Sequence, residues 1–400
     1  MTNPQSSANP FHEGAAGEYF VGREQQLDKF ERSLDALRQS EPSHIFVAGV
    51  NGRGKTSYLA KLVEMSRRHS DVLAVSVSLD AGVAALQQIT SMFERVVREV
   101  DAALRESVQV DRLMPEWQKS DGSPFRLPSA DRLQNEHIRH DLSYLSDVAA
   151  EQGFRHVVIC VDEGERIEPF ALSALKSALL QFNRFLVVLS IRLIEDQGDP
   201  VGAARRKLEE IAAAADGDLG AARLFVTGVG LQPFDLAQAR KCVIRRLQNR
   251  TIGFDEGVID LISRVAEGRP DRIIEYAHDV YDGAAEEKAQ KATLAHFRTV
   301  FTQRHRLEVS EASSLRMQLT ETERRMMYEL ACQNSPMSPS GLAEKMYPNT
   351  PQSTLEPLIE SIKSALDKMC ASPFCAMSNF KYATPDPVHR YALEISMESE

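Results

Sequence analysis

The chain has little of what staples a small fold together and little of what binds a polyanion in bulk. Its 400 residues include five cysteines and one tryptophan. Cys160, Cys242, Cys332, Cys370 and Cys375 are scattered, with no C-x-x-C, and the ten histidines are equally dispersed. A zinc site needs tighter clustering, so no metal is expected on cysteine or histidine, and the thiols read as reduced packing residues. No apolar run approaches the ~18–20 residues of a membrane helix. The polar opening, residues 1–7, lacks the charged-then-apolar pattern of a signal peptide. The expectation is a cytoplasmic protein without a membrane partner. Basic charge is also in short supply. Against 57 Asp/Glu stand 47 Lys/Arg, a net of −10. That excludes coating nucleic acid or anionic membrane through bulk positive charge, although not a local basic patch.

What is present suits a globular chain of two to four domains, at roughly 100–200 residues each. Hydrophobic residues make up 43%, ample for a sizeable core. Apolar runs at 44–50, 71–79, 157–161, 185–191 and 224–229 read as buried strands. Helical spacing fills 27–37, 55–68, 84–104, 130–152 and 170–182. Strands alternating with helices predict an α/β parallel sheet with right-handed crossovers. Residues 107–129, with Pro115, Pro124, Pro128 and Trp117, read as a long loop or insertion. After Pro233 the pattern is helical to about 304. Residues 318–400 read as three helices followed by short β-like segments bounded by proline. No internal repeat is found.

The sharpest signal is Gly49-Val50-Asn51-Gly52-Arg53-Gly54-Lys55-Thr56, which satisfies G-x-x-x-x-G-K-[ST] between a strand and a helix. Glycines let backbone N–H groups curl around an anion, and the helix N-terminus adds unpaired donors and a favourable dipole. Lys55 is expected to reach the β- and γ-phosphates and Thr56 to ligate Mg²⁺, with Ser57 completing the cradle. The partner half is an acid at the end of an apolar strand, supplied by Val157 to Val161 followed by Asp162 and Glu163. Asp162 is expected to hold Mg²⁺ and Glu163 to polarise the attacking water as general base. The N-K-x-D guanine motif is missing, so ATP is favoured over GTP, and the chain is expected to be an Mg-dependent ATPase.

Phe20-Val21-Gly22-Arg23-Glu24 resembles the V-G-R-E motif of the initiator (origin-recognition-like) and STAND-related AAA+ ATPases. The resemblance implies that Val21 and Arg23 lie near the nucleotide. Phe185 to Arg192 resembles the sensor-1 strand, implying γ-phosphate contacts for Ser190 and Arg192; an ordinary strand exit is the alternative. Leu231-Gln232-Pro233-Phe234 resembles the passage into a helical lid. Gly268-Arg269-Pro270-Asp271-Arg272 resembles the G-x-P of sensor 2. There Pro270 and Arg272 are the candidates, although Asp271 stands where many initiators have arginine. A surface salt bridge is the other reading of Arg272. The resemblance covers residues 19–305.

Residues 1–18, rich in Ser, Asn, Pro, Gly and Ala, read as a mobile tail. The resemblance implies a P-loop NTPase core over 19–234 and a helical lid over 235–305, followed by a winged-helix-like domain over 306–400. In that last segment Thr320 and Glu323 form a capping box, and residues 374–382 and 388–395 are candidate wing strands, the latter open to a helical reading. Residues 306–400 hold 9 Lys/Arg against 13 Asp/Glu, poor footing for DNA phosphates. Basic clusters occur at Arg205-Arg206-Lys207 and at Arg240, Lys241, Arg245, Arg246 and Arg250. They suit DNA, a trans arginine finger or a solvated helix face. The implied function is an ATP-driven switch that assembles on or remodels a partner complex, with DNA open as a partner and nucleotide-dependent homo-oligomerisation expected. The alternative is a signalling or defence-type ATPase that gates a separate effector protein without touching DNA.

Overall fold

The computed structural model describes residues 9–11, 16–80, 82, 88, 92, 142–143, 145–147, 149–195, 198–214, 220–333, 335–378, 381–384 and 386–398. The chain divides into two compact units, residues 13–233 and residues 1–12 with 234–400.

The first unit opens with α1 (Ala16–Tyr19) and α2 (Glu24–Arg38), followed by β1 (Ile45–Val50), α3 (Lys55–Ser66) and β2 (Val72–Ser78). Then come β3 (His156–Asp162), α4 (Pro169–Leu179), β4 (Phe185–Leu193), α5 (Pro200–Ala213), α6 (Gly220–Arg223) and β5 (Thr227–Gly230). The five strands form one parallel sheet in the order β2-β3-β4-β1-β5. Alternate residues serve opposite faces. Phe46, Ala48, Val157, Ile159, Val187 and Leu189 join one core with α4 and α5. Ile45, Val47, Val158, Cys160, Leu186 and Val188 join the other with Phe30, Leu34, Leu59 and Leu62 of α2 and α3. Burial on both faces is why these strands read as unbroken apolar runs.

The register sets the site. Gly49 lies opposite Arg192, and Ser78 opposite Asp162. The strands expected over 44–50, 71–79, 157–161 and 185–191 form within two residues of those bounds. The fifth, expected over 224–229, starts later. Arg205 Nη2 takes the Phe225 carbonyl at 3.4 Å and the Val226 carbonyl at 3.2 Å. The ladder therefore opens where the Thr227 N–H meets the His44 carbonyl at 3.2 Å. The expected insertion at 107–129 lies outside the described residues. So does most of the two helices expected around it, whose described members Gln88, Met92 and residues 142–143, 145–147 and 149–151 are helical.

The second unit contains α7 (Leu236–Leu247), β6 (Gly253–Phe254), α8 (Glu256–Val265), α9 (Pro270–Glu286), β7 (Lys291–Ala292), α10 (Leu294–Arg304) and α11 (Arg306–Gln318). It continues through α12 (Glu321–Ala331), α13 (Pro339–Met346), α14 (Gln352–Met369), β8 (Ala376–Ser378), β9 (Lys381–Ala383) and α15 (Pro387–Glu398). Its first part is not helical throughout, because β6 and β7 form a two-residue parallel ladder. Phe254 holds it in place by stacking on Phe11, centroids 5.8 Å apart. Residues 9–11, which the sequence places in a tail, are thus packed. Phe11 is 1% exposed, and Asn9 Nδ2 donates to Asp282 Oδ1 at 2.7 Å.

The capping box forms as expected: Glu323 N–H donates to Thr320 Oγ1 at 3.3 Å and Thr320 N–H to Glu323 Oε2 at 2.8 Å. Of the two candidate wing segments, the first supplies the β8-β9 hairpin. Its neighbour is Met337, bridged to Tyr382 by bonds of 2.8 and 2.7 Å. The second is helix α15. Pro387 opens it, Asp386 accepts from the Val388 N–H at 2.7 Å, and Val388, Tyr391 and Ala392 fall on one buried face. Cys370 and Cys375 are free thiols with their sulfurs 3.2 Å apart. Among the described residues, no helix is long and apolar enough to cross a membrane.

Candidate active site

Residues at the C-terminal ends of β1, β3 and β4 converge, the place where open α/β sheets bind ligands. The loop from β1 to α3 turns through Gly52 at φ 79° and Gly54 at φ 81°. Both values lie in the left-handed region that glycine tolerates. Asn51 is exposed, Arg53 is buried, and Lys55, Thr56 and Ser57 form the first turn of α3. Lys55 Nζ donates to the Val50 carbonyl at 3.1 Å across the loop. Burial lowers the Lys55 pKa, opposed by Glu165, Asp162 and Glu163, while Arg192 adds to the lowering.

Asp162 is the hub of the acidic side. It accepts from Thr56 Oγ1 at 2.5 Å, from Ser190 Oγ at 2.5 Å and from the Glu163 N–H at 2.9 Å. Thr56 and Asp162, paired in expectation as Mg²⁺ ligands across 106 residues, are therefore neighbours. Ser190 is fully buried, and its hydroxyl also accepts the Glu163 N–H at 3.0 Å. The sequence expectation aims Ser190 at a phosphate; here its hydroxyl donates to the Asp162 carboxylate and accepts from the Glu163 N–H.

Glu163 sits at φ 55°, strained for a non-glycine residue, and starts a tight turn over Gly164–Arg166. A Cβ on Gly164 would come within 2.2 Å of Leu189 Cδ1 and 2.6 Å of the Ser190 carbonyl. Only glycine lets this turn lie on β4. Glu163 is ion-paired with Arg166. Arg192 Nε pairs with Glu165 Oε1 at 3.3 Å, and its N–H donates to Glu165 Oε2 at 3.0 Å. Glu165 and Arg166 were not singled out from the sequence. The available signal was the charged run Glu163-Gly164-Glu165-Arg166 directly after the strand acids.

The V-G-R-E segment also reaches the loop. Val21 is buried. Gly22 and Arg23 both have φ 68°. The Arg23 guanidinium, 5% exposed, donates to the Gln232 carbonyl at 2.6 Å and to the Arg53 carbonyl at 3.2 Å. Burial, and then the neighbouring Arg53, lower its pKa to about 10.

Pro270 and Arg272 belong to the second unit. Pro270 is the first residue of α9, and Arg272 faces Glu267 at 3.8 Å. Gly268, at φ 66°, has its Cβ position 2.0 Å from the Phe234 carbonyl, so this glycine is required by backbone contact. The basic clusters are partly engaged within the protein: Arg240 pairs with Glu256 and Asp260, and Lys207 Nζ holds the Arg192 carbonyl at 2.9 Å.

Comparison with known proteins accords with this geometry. Residues 19–189 match the AAA ATPase domain family. Cdc6p of Pyrobaculum aerophilum superposes with a TM-score of 0.53 at 14% identity, over 97% of each chain. Orc1 of Aeropyrum pernix, solved in complex with DNA, gives a TM-score of 0.48 at 14% identity, over 98% of this chain and 96% of that one. The Walker-type ATPase PABY2304 of Pyrococcus abyssi gives 0.48 at 15%, over 96% and 99%. No curated protein matches in sequence. Residues 19–189 are thus similar to the AAA ATPase domain family, and the chain has a P-loop NTPase fold that it shares with Cdc6p.

Proposed function

We propose that this protein hydrolyses ATP and is a switch whose nucleotide state governs assembly on, or remodelling of, a partner complex. The observation that carries the reading is the network joining phosphate loop, strand acids and β4: Thr56 to Asp162, Ser190 to Asp162 and Ser190 to Glu163. Such a network lets occupancy of the loop be felt at the next strand. Thr56 and Asp162 are the residues that would hold Mg²⁺. They fit it, because a hydroxyl and a carboxylate, both hard oxygen donors, already lie 2.5 Å apart at the loop. Mg²⁺ held there would supply charge neutralisation for the bound phosphates. Lys55 contacts the same phosphates, Glu163 orients and deprotonates the attacking water, and Arg192 contacts the γ-phosphate. Release of Glu163 from Arg166 frees it for that role.

The order helix, Met337 bridge, helix, helix and hairpin over α12 to β9 supports a winged-helix-like assignment. A second reading, gating of a separate effector protein without DNA, is favoured by one observation. Arg205, Lys207 and Arg240 are engaged by the protein's own carbonyls and carboxylates. The test is mass measurement of the Glu163→Gln protein with and without ATP, and with duplex DNA. ATP-dependent growth in mass supports the switch, and a species of unchanged mass in every condition rejects it. Association with DNA that falls steeply with salt selects the first reading; no association selects the second.

A further inference from the structure

Among the described residues, three carboxylates act on Lys55, and Glu165 is the one that the proposed function leaves without a task. Its side chain is only 8% exposed, unusual for a glutamate two residues past a strand end. Its two oxygens are divided between two groups of one residue: Oε2 takes the Arg192 N–H at 3.0 Å, and Oε1 faces Arg192 Nε at 3.3 Å. The Arg192 carbonyl is fixed from the other side by Lys207 Nζ at 2.9 Å. Backbone donor, backbone acceptor and side chain of Arg192 are all therefore held, at the residue in register with Gly49 of the phosphate loop. Arg192 remains 49% exposed, and it meets Glu165 through Nε. Glu165 itself is placed by its turn, in which Gly164 lies flush on Leu189 and Ser190.

We propose that Glu165 is a positioning residue for ATP hydrolysis: it presets the Arg192 guanidinium for the γ-phosphate without touching nucleotide. An arginine on a flexible stem otherwise loses rotamer freedom on each engagement, and a fixed Nε removes that cost. This inference rests on the proposed γ-phosphate contact of Arg192.

The test uses the full chain and compares Glu165→Gln, Arg192→Ala and the double variant. Gln keeps the shape and can still accept the Arg192 N–H, so it removes the charge pair and little else. We expect Glu165→Gln to lower kcat about 10-fold with KM for ATP within about 2-fold, and the double variant to be no slower than Arg192→Ala. ATP-over-ADP discrimination, read with a non-hydrolysable ATP analogue, should fall about as far in Glu165→Gln as in Arg192→Ala. A merely structural role would weaken both nucleotides alike. Arg192→Lys keeps the charge but lacks Nε, and should lose the same discrimination; full discrimination with lysine would overturn the proposal. Wild-type kcat and discrimination in Glu165→Gln, with both lost in Arg192→Ala, overturns the role of Glu165 alone. Wild-type behaviour of Arg192→Ala overturns the underlying reading of Arg192.

Discussion

The two ends of one five-stranded sheet are built on opposite terms. Where the strands begin, several polar groups are paired with one another. His44 Nδ1 accepts the Val187 N–H at 3.0 Å, the Ser43 and Thr227 hydroxyls meet at 2.9 Å, and Arg38 meets Asp71 at 3.3 Å. Where the strands end, Gly52, Gly54 and Glu163 take left-handed backbone conformations. Three carboxylates, Asp162, Glu163 and Glu165, act on one lysine. Strained backbone persists only where the surroundings enforce it, and together with clustered charge it marks candidate sites that act on ligands. The contrast makes the first end a device for stability and the second a device for chemistry, so substitutions at the two ends should fail in different ways.

The largest effect is expected at the second end. Lys55→Ala removes the cation proposed to meet the phosphates. It should weaken ATP binding by at least about 100-fold in a fluorescence titration while leaving the melting temperature near wild type. At the first end the effect is on stability and depends on pH. Burial lowers the His44 pKa to about 4 from its ordinary 6.5, and the neutral ring accepts the Val187 N–H. Because the unfolded chain binds the proton more readily, His44 contributes stability in full above about pH 6.5. That contribution is lost as pH falls from 6.5 to 4, by about 3 kcal/mol in total. Urea unfolding at several pH values should show this slope in wild type and lack it in His44→Phe. Gly164→Ala lies between the two kinds of effect. Its Cβ meets Leu189 and the Ser190 carbonyl, so overpacking should cost about 2 kcal/mol. It should also displace the turn that carries Glu165, so both stability and kcat should fall; an unchanged melting temperature would contradict the close packing.

The sequence was most legible where chemistry is local. The phosphate loop, the first turn of α3 and the Asp162-Glu163 pair can be read because each motif specifies its own backbone. Strand positions followed from apolar runs buried on both faces. What escaped depended on partners distant in the chain. Glu165 and Arg192 are 27 residues apart, and neither segment alone says they meet. Ser190 looks like a strand-end polar residue until the register of β3 beside β4 turns its hydroxyl onto Asp162. The same holds for Arg205, which spacing cannot tell from a solvated face; tertiary contact makes it the cap that delays β5. In the second unit, residues 388–395 carry both helical and strand-like spacing, and Asp386 with Pro387 decides for the helix.

The central claim is that the strained acid turn performs the hydrolytic step. Single-turnover hydrolysis of prebound ATP by the Glu163→Gln protein tests it most directly. The account predicts ATP bound with near wild-type affinity and cleaved at least about 100-fold more slowly. Cleavage at the wild-type rate would contradict it.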